Sequence, residues 1–371
     1  MIQKKKNITI VNIVGARPNF IKICPIINQM NKVKRIKNIL IHTGQHYDYE
    51  MSALFFNELG IKEPEIYLGI GAGSQAEQTA KIMIALEKEL MKIKPDLVCV
   101  VGDVNSTMAA ALVAAKLCIP LAHVEAGLRS RDLTMPEEIN RIVTDRLSDL
   151  LLTTSDDALD NLLAEGVDRK KIYFTGNVMI DTLMLLKKKS AALKAYKKYS
   201  LKKNDYVLVT LHRPSNVESK KNLSAIINEL VTISKRTPII FPIHPRTEKR
   251  LKDFGLMKLL QKGNIILTPP IGYIENLSLL LYSKFVITDS GGIQEETTVL
   301  HIPCLTLREN TERPVTAEIG TNTVIGLDMK KLRKNVGLIL GGKYKKGKIP
   351  KYWDGKASER ITGIIKKLFL K

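Results

Sequence analysis

The stretch DLVCVVGDVNSTMAAALVAAKLCIPLAHV, residues 96–124, decides the fold class. Two short apolar runs, at 96–101 and 120–124, flank an alanine-rich segment at 106–117. Runs of this length and composition indicate buried strands, and the segment between them is long enough for a helix. A strand, a helix and a second strand in this order predict a βαβ unit, in which the two strands pair in parallel.

The same alternation extends over the whole chain. In the first half, further strands are predicted at 8–14, 39–43 and 150–153 and helices at 19–30, 75–93 and 137–148. A second series has strands at 206–211, 238–243, 264–267 and 285–288 and helices at 222–235, 274–283 and 293–300. The pattern predicts an α/β protein with two domains built on parallel sheets.

The domain limits are set by a lysine-rich, helix-compatible stretch at 187–204. We place the first domain at residues 1–186 and the second at 205–355. An amphipathic helix within 356–371 is expected to cross back to the first domain.

Composition excludes several classes of protein. With 44% hydrophobic and 26% charged residues, the chain is globular rather than disordered. No apolar run reaches the roughly 18–20 residues that cross a bilayer. The N-terminal lysines and the short apolar run after them fit a weak signal peptide or a first strand. We favour the strand, because Gly15-Ala16-Arg17-Pro18 follows it instead of a cleavage site.

The net charge of +21 suits a nucleic acid, an anionic membrane or a phosphorylated substrate. The lysines form short scattered clusters, and no nucleic-acid motif accompanies them. We therefore expect a lysine-rich solvated surface, with no nucleic-acid and no membrane partner.

Cysteine and histidine usage points to a reducing compartment without a metal. Cys24, Cys99, Cys118 and Cys304 lie in apolar segments without a C-x-x-C pair, which predicts buried thiols and a cytoplasmic protein. The six histidines show no metal-binding spacing.

Titratable and phosphate-binding groups follow the predicted strands in both halves. They are Arg17 and Lys22, Asp103, Glu125, His212 and Arg213, His244, and Ser290-Gly291-Gly292. Ligands of open parallel sheets bind at the carboxyl ends of the strands. If the two halves face each other, these groups line one cleft.

Two of these groups suit a nucleotide. Ser290-Gly291-Gly292 opens a helix, where free backbone N–H groups bind phosphate, with a plain N-cap as the alternative. Glu295 and Glu296 are predicted in the first turn of that helix. A carboxylate there could accept both hydroxyls of a ribose, and the alternative is that the two glutamates form an exposed pair. Arg17 and Lys22 are together suited to bind a diphosphate, and the alternative is that they form a surface pair.

Asp103, Glu125 and Glu137 put three carboxylates near one cleft. Like charges in a confined site separate the pKa values of acid and base. For Glu137, a simple charge at a helix N-terminus is the alternative.

Nine motifs, in order along the chain, resemble the non-hydrolysing UDP-N-acetylglucosamine 2-epimerase family. They are GARPNFIK (15–22), TGQH (43–46), KPDLVCVVGDVNST (94–107), HVEAGLRS (123–130), PEEINR (136–141), TGN (175–177), LHRPSNVE (211–218), TDSGGIQEE (288–296) and TERP (311–314). The resemblance implies a glycosyltransferase-B-like fold, in which two Rossmann-like domains face a central cleft and close by a hinge. It also implies a homodimer and neither a metal nor another cofactor.

The resemblance also implies roles for individual residues. Those tied to catalysis are Lys22, Asp103, Glu125, Glu137 and His212. The expected UDP site comprises Arg17, His212, Arg213, His244, Tyr273, Ser290, Gly291, Gly292, Glu296 and Arg313.

The implied reaction is reversible epimerisation of UDP-N-acetylglucosamine at C2, through loss of UDP to a 2-acetamidoglucal, for surface polysaccharide or glycan synthesis. Alternatives are a hydrolysing epimerase, a 2-epimerase for an oxidised or diacetamido UDP-sugar, a glycosyltransferase and a nucleotide-sugar sensor. Pro214 departs from the H-R-R-E-N of many members. Asp48 and the arginine-free GIGAGS (69–74) depart from members that substrate activates, so such activation stays open.

Overall fold

The computed structural model describes residues 3–45 and 62–371. The chain divides into two compact units, which we call the first unit (Met1–Met184 with Lys351–Lys371) and the second unit (Leu185–Pro350). Each unit contains one sheet, and every strand pair in both sheets is parallel. The predicted α/β architecture with two parallel sheets is confirmed.

The sheet of the first unit has seven strands in the order β3-β2-β1-β4-β5-β6-β7. Their bounds are β1 Ile8–Val14, β2 Ile36–His42, β3 Ile66–Tyr67, β4 Leu97–Val101, β5 Leu121–Ala126, β6 Leu150–Thr153 and β7 Ile172–Phe174. The strand order reverses between β1 and β4, which makes this edge a topological switch point, where open α/β sheets bind ligands.

The helices of the first unit cover this sheet. They are α1 Arg17–Met30, α2 Gln75–Ile93, α3 Asn105–Lys116, α4 Pro136–Leu147, α5 Asp156–Ala164, α6 Val178–Leu193, which continues into the second unit, and α15 Ala357–Phe369. The alanine-rich α3 buries Ala109, Ala110 and Ala111 completely. Side chains this small let α3 lie close to β4 with α2 and α4 at its sides.

The second unit repeats the plan with six strands in the order β10-β9-β8-β11-β12-β13. Its strands are β8 Val207–Thr210, β9 Ile239–Pro242, β10 Ile265–Thr268, β11 Phe285–Thr288, β12 Cys304–Thr306 and β13 Asn322–Val324. Its helices are α7 Pro214–Val217, α8 Lys220–Ser234, α9 Pro245–Asp253, α10 Met257–Leu260, α11 Tyr273–Leu281, α12 Gly291–Leu300, α13 Pro314–Glu318 and α14 Met329–Leu340. Here the switch point lies between β8 and β11.

The C-terminal segment is fixed to the first unit by two buried contacts. The Asp181 carboxylate accepts hydrogen bonds from the backbone N–H groups of Ala357 and Ser358, at 3.0 and 2.7 Å, where α15 begins. Trp353 is fully buried and donates from Nε1 to the Thr154 carbonyl at 2.9 Å. These contacts satisfy free donors at the helix start, so α15 is anchored as well as packed.

Two expectations from the sequence are corrected. The helix-compatible stretch at 187–204 is only partly helical: it contains the end of α6, which begins at Val178, and a 3₁₀ turn over Ala195–Tyr199. All four cysteines are free thiols, but Cys118 is exposed rather than buried. It follows the end of α3 at φ 55°, and the Ile119 N–H bonds back to the Ala114 carbonyl at 2.9 Å. This left-handed helix end turns the Cys118 side chain outward.

Within residues 3–45 and 62–371, no helix is both long enough and apolar enough to cross a membrane.

Candidate functional site

Asn19 organises the switch point of the first unit. Its side-chain oxygen accepts hydrogen bonds from the N–H groups of Gly15 and Ala16, at 3.2 and 3.0 Å. Its side-chain nitrogen donates to the Val101 carbonyl at 2.9 Å. One buried amide therefore ties the turn after β1 to the end of β4, and it satisfies N–H groups at the start of α1.

Lys22 and Glu125 form a buried ion pair beside this turn. The second oxygen of Glu125, Oε1, is buried and has no hydrogen-bond partner among residues 3–45 and 62–371. A Cβ atom on Gly102 would lie 3.4 Å from Lys22 Nζ and 3.6 Å from Glu125 Oε2, so the Gly102-Asp103 turn borders the pair. Leaving a carboxylate oxygen buried and unbonded costs about 1–3 kcal/mol, which marks it as a group awaiting a ligand.

Glu125 lies inside a strand and not after its end, which corrects the sequence prediction. β5 extends to Ala126, and its pairing with β6 shifts between Val124 and Ala126. Glu125 occupies this bulge at φ 71°. A side chain at positive φ costs about 1 kcal/mol or more, and such strain gathers at functional sites.

A buried network of charges lies under the bulge. His123 bonds through Nδ1 to Asp145 at 2.7 Å and through Nε2 to the Gly102 carbonyl at 2.9 Å, so only a doubly protonated ring satisfies both acceptors. Asp145 also contacts Arg129 at 2.7 Å and accepts from the Gly127 N–H at 3.1 Å. Burial by itself raises the pKa of Asp145, but His123 and Arg129 together hold it below its usual value.

Asp103 is held by α4. Arg141 donates to Asp103 Oδ2 from Nε at 3.0 Å and from Nη2 at 2.7 Å, and Asn140 donates to the Asp103 carbonyl at 2.8 Å. Arg141 also contacts Glu138, which accepts from the Ser130 N–H at 2.9 Å. The expected site residue Asp103 is therefore ordered by a loop and a helix that follow it by about thirty residues.

Glu137 and Glu138 are adjacent but differently placed. Glu138 is fully buried, and although burial raises its pKa, hydrogen bonds from Ser130 and Arg131 and the charge of Arg141 lower it below the usual value. Glu137 is half-buried in the first turn of α4 and makes no ion pair with any residue in 3–45 or 62–371. Since every oxygen of Glu138 has a partner, Glu137 is the member of the pair free to meet a substrate.

In the second unit, Asp289 orders the turn after β8 by hydrogen bonds. Its carboxylate accepts from the N–H groups of His212 and Arg213 at 3.0 and 2.9 Å, and from Asn216 at 3.1 Å. The His212 Nδ1 atom lies 2.9 Å from Asp289 Oδ1, which leaves Nε2 as the outward ring nitrogen. Burial raises the pKa of Asp289, but the bonds from His212 and Arg213 lower it below the usual value. The ring centroids of His212 and His244 are 5.6 Å apart.

Pro214 fits this turn without loss. It is the first residue of α7, and Arg213 precedes it as the N-cap. The N–H group of a first helical residue has no partner within the helix, so a proline there removes nothing that the helix needs.

The Ser290-Gly291-Gly292 turn begins α12, as expected. A Cβ atom on Gly291 would lie 2.7 Å from Arg313 Nη1, so the turn and this guanidinium are in close contact. Arg313 also pairs with Glu295 at 2.7 Å. Gly292 is half-buried as the second residue of the helix. A helix N-terminus beside a buried arginine is a favourable place for a phosphate.

Neither Glu295 nor Glu296 is in the first turn of α12, so the predicted position is wrong. Both are buried, which excludes the alternative of an exposed pair. Glu295 and Glu296 lie one turn further along and are buried. Tyr273, at the start of α11, donates to Glu296 Oε1 at 2.6 Å. Burial raises the pKa of Glu296 to about 7, although the Tyr273 hydrogen bond opposes the shift and the charge of Glu295 adds to it.

Three expected features are not described structurally. Arg17 is the first residue of α1, but its side chain lies outside what the structure describes. His46 and Asp48 fall between residues 45 and 62, also outside it.

No group of three or more possible metal ligands occurs in the described part of the chain.

Sequence reasoning missed the residues that position the site. Arg141 contacts the expected site residue Asp103, and Asp289 contacts His212. Asn19, Glu138 and Asp145 bind the turns and side chains around the expected residues. None of the five was assigned to the site. Glu138 and Arg141 stand in the PEEINR motif at i and i+3, a spacing that places two helix side chains on one face. Asp145 is on the same helix, with no signal that distinguishes it.

Comparisons with known proteins identify the family of the chain. A model of the family described as UDP-N-acetylglucosamine 2-epimerase matches residues 28–366. A protein of that name from Methanocaldococcus jannaschii is 46% identical over 95% of this chain and 97% of its own length. A UDP-2,3-diacetamido-2,3-dideoxy-D-glucuronate 2-epimerase from Pseudomonas aeruginosa is 38% identical over 97% of this chain and 99% of its own.

Solved structures give the same result. The crystal structure of Methanocaldococcus jannaschii UDP-GlcNAc 2-epimerase in complex with UDP-GlcNAc and UDP aligns with a TM-score of 0.90 at 44% identity. The alignment covers 97% of this chain and 99% of that one. Because the family model and these relatives span nearly all of the sequence, the chain belongs to the UDP-N-acetylglucosamine 2-epimerase family.

Proposed function

We propose that the protein interconverts UDP-N-acetylglucosamine and UDP-N-acetylmannosamine without releasing free sugar. The observation that carries the proposal is the buried Lys22–Glu125 pair, whose unbonded carboxylate oxygen lies in a strained bulge at the switch point. A carboxylate that is ordered, charge-compensated and keeps one oxygen without a hydrogen bond is suited to proton transfer. Membership of the family supplies the substrate class.

The proposed chemistry has two balanced halves. A base takes the proton from C2, the C1–oxygen bond to UDP breaks, and a C1=C2 double bond forms in the sugar. UDP then adds back to C1 while an acid protonates C2 on the opposite face. Glu125, Asp103 and Glu137 are the candidates for base and acid, and Lys22 neutralises the charge of Glu125 in its buried setting.

Groups of the second unit are proposed to bind UDP and to stabilise it as a leaving group. His212, oriented by Asp289, and the Ser290-Gly291 turn beside Arg313 supply donors toward a diphosphate. Arg17, Arg213, His244 and Gly292 are proposed to add to this site. Glu296 with Tyr273 is proposed to hold the ribose hydroxyls, because a buried carboxylate needs such donors in order to ionise.

The test is turnover of UDP-N-acetylglucosamine in heavy water, followed at C2 by NMR. Solvent deuterium should enter C2 while UDP-N-acetylmannosamine appears. Glu125→Gln should lower turnover by about 10²-fold or more, the effect of a lost acid–base group. Asp160→Asn, on the exposed side of α5, is the matched control and should turn over normally. An epimerised product that keeps its original C2 hydrogen refutes the elimination.

The same experiment separates the alternatives. Accumulation of free hexosamine with UDP indicates a hydrolysing enzyme. Failure with UDP-N-acetylglucosamine, but deuterium incorporation into an oxidised or diacetamido UDP-sugar, indicates a modified substrate, the type named for the Pseudomonas aeruginosa relative. Turnover that persists in EDTA supports the proposed absence of a metal.

We also propose that the protein is a cytoplasmic homodimer. Large apolar side chains are exposed on α2 and α4, the two helices that flank α3, namely Ile84, Met91, Ile139 and Ile142. Exposed apolar side chains of this size are typical of association surfaces. Light scattering should give twice the monomer mass, and Ile84→Lys with Ile139→Lys should halve it. A monomeric native protein contradicts the proposal.

A further inference from the structure

A strongly basic stretch, residues 185–203, forms the beginning of the second unit, and we call it the basic surface. It has no aspartate or glutamate, and its eight lysines are all exposed: Lys187, Lys188, Lys189, Lys194, Lys197, Lys198, Lys202 and Lys203. In the described part of the chain, Lys198 is the one member with an ion pair, to Glu275 at 2.8 Å. The basic surface is thus left with a large uncompensated positive charge.

Apolar side chains stand among these lysines. Leu185 and Leu193 are 55% and 52% exposed. Together with Lys188, Lys189 and Ala192, they follow the spacing of three and four residues that places side chains on one face of α6. Leu186 and Ser190 are buried, whereas Leu193, which follows them on the same side of the helix, is exposed where α6 ends. The exposed part of α6 therefore combines leucines with lysines.

The basic surface is ordered in advance of any binding. The Ala195 N–H donates to Ser278 Oγ at 3.0 Å, and the Tyr282 hydroxyl donates to the Ala191 carbonyl at 2.9 Å. The rings of Tyr196 and Tyr282 are in edge contact, with centroids 5.1 Å apart. These contacts fix the segment on α11, so a partner that binds it does not have to order it first.

We propose that the basic surface docks the protein on a membrane of anionic phospholipids. Clusters of four to eight lysines on a helical surface attract acidic headgroups, and leucines beside them enter the boundary between headgroups and acyl chains. Nucleic acid would satisfy the lysines but offers nothing to Leu185 and Leu193. The sequence alone favoured a solvated surface, because the lysines occur in short clusters and the exposure of the leucines beside them appears only in the fold. This inference is independent of the proposed reaction.

The test is co-sedimentation of the full-length protein with large unilamellar vesicles in 0.1 M NaCl. The protein should pellet with vesicles of equal parts phosphatidylcholine and phosphatidylglycerol and should stay in solution with phosphatidylcholine alone. Binding should fall steeply at 0.5 M NaCl, because salt screens exposed charges. The variant Lys188→Glu/Lys189→Glu/Lys194→Glu should bind about a hundredfold less tightly or worse. Leu185→Ser/Leu193→Ser should lose about tenfold but keep the salt dependence.

The matched control reverses three exposed lysines of the first unit, Lys34→Glu/Lys37→Glu/Lys366→Glu, for the same change in net charge. It should bind vesicles within about threefold of the native protein. Equal losses in both triple variants would show that net charge alone drives binding and would overturn the proposal. So would native binding by the leucine variant, or a DNA duplex that binds the basic surface more tightly than the vesicles do. Normal turnover in solution establishes that each variant is folded.

Discussion

Replacing Asp145 by asparagine tests whether the buried charges beneath β5 hold Glu125 in place. The substitution keeps the shape and removes the charge that His123 and Arg129 share. Arg129 keeps a second partner, Glu165, at 2.7 Å, whereas the Nδ1–H group of His123 loses its acceptor charge. We therefore expect the tilt of the His123 ring, and with it the Gly102 carbonyl and the bulge at Glu125, to change.

The expected loss of stability follows from the burial of the ion pairs that Asp145 makes. Breaking a buried ion pair by removing one partner costs about 3–5 kcal/mol, and the remaining Arg129–Glu165 pair favours the lower value. At about 2–4 °C per kcal/mol for a domain of this size, Tm should fall by about 6–12 °C. Because the pKa of Asp145 is lowered in the folded state, its stabilisation is complete above the ordinary value of 3.8 and is lost as the pH falls through the lowered pKa. The native and Asp145→Asn curves should therefore converge in acid.

Calorimetry, turnover and UDP-binding measurements on Asp145→Asn test this expectation. Turnover should fall about 10²-fold, the effect of misplacing a catalytic group by about 1 Å. UDP affinity should change less than about twofold, since all of its proposed ligands except Arg17 are in the second unit and Asp145 contacts none of them. Asp160→Asn should leave Tm within about 1 °C, because surface substitutions rarely exceed about 0.5 kcal/mol. A folded Asp145→Asn protein with native Tm and native turnover would refute the reasoning.

Three further predictions concern the nucleotide and the glycines. Because the pKa of Glu296 is raised to about 7, it must lose a proton to accept ribose hydroxyls, so affinity for UDP-N-acetylglucosamine should rise as the pH increases through about 7 and then level off. In calorimetric titrations Glu296→Gln should remove this dependence, and an unchanged profile contradicts the assignment. Gly291→Ala should fold normally, since its Cβ meets only the movable end of Arg313, but should weaken UDP binding about tenfold or more. Native UDP affinity in this variant would exclude a phosphate at the turn. Gly15→Ala places a Cβ 1.9 Å from Ser106 Oγ and should cost about 1–3 kcal/mol or more on chemical denaturation, which Ser106→Gly should partly restore.

Much of the fold was predictable because its signals are local. The apolar runs that became β1, β4, β6 and β11 are bounded by polar turns, and their periodicity needs no knowledge of partners. β7, β12 and β13 were missed because each has three residues, too few for a pattern to emerge. The start of α6 was missed because its first turns are apolar and buried, so the helix shows little amphipathic contrast until the lysines begin.

The candidate site was also predictable only in part. The turn residues after each strand, such as Asp103 and Ser290, were found because parallel sheets place their ligands at the carboxyl ends of strands. Sequence alone could not reveal that Glu125 lies in a bulge at positive φ, because one extra residue in a strand leaves no compositional trace. Nor could it show that Ser130 and Arg141 bind Glu138, while Glu137 has no ion-pair partner in the described part of the chain.

By itself, the sequence determined the alternation of strands and helices, the two parallel sheets and the residue types at their edges, since these depend on spacing within short windows. Tertiary structure decided which of those residues pair. The Lys22–Glu125 contact joins residues far apart in sequence, and Asp289 meets His212 across another long separation. Burial, hydrogen-bond satisfaction and the raised pKa of Glu296 are properties of such packed neighbours, and packing exists only once the chain has folded.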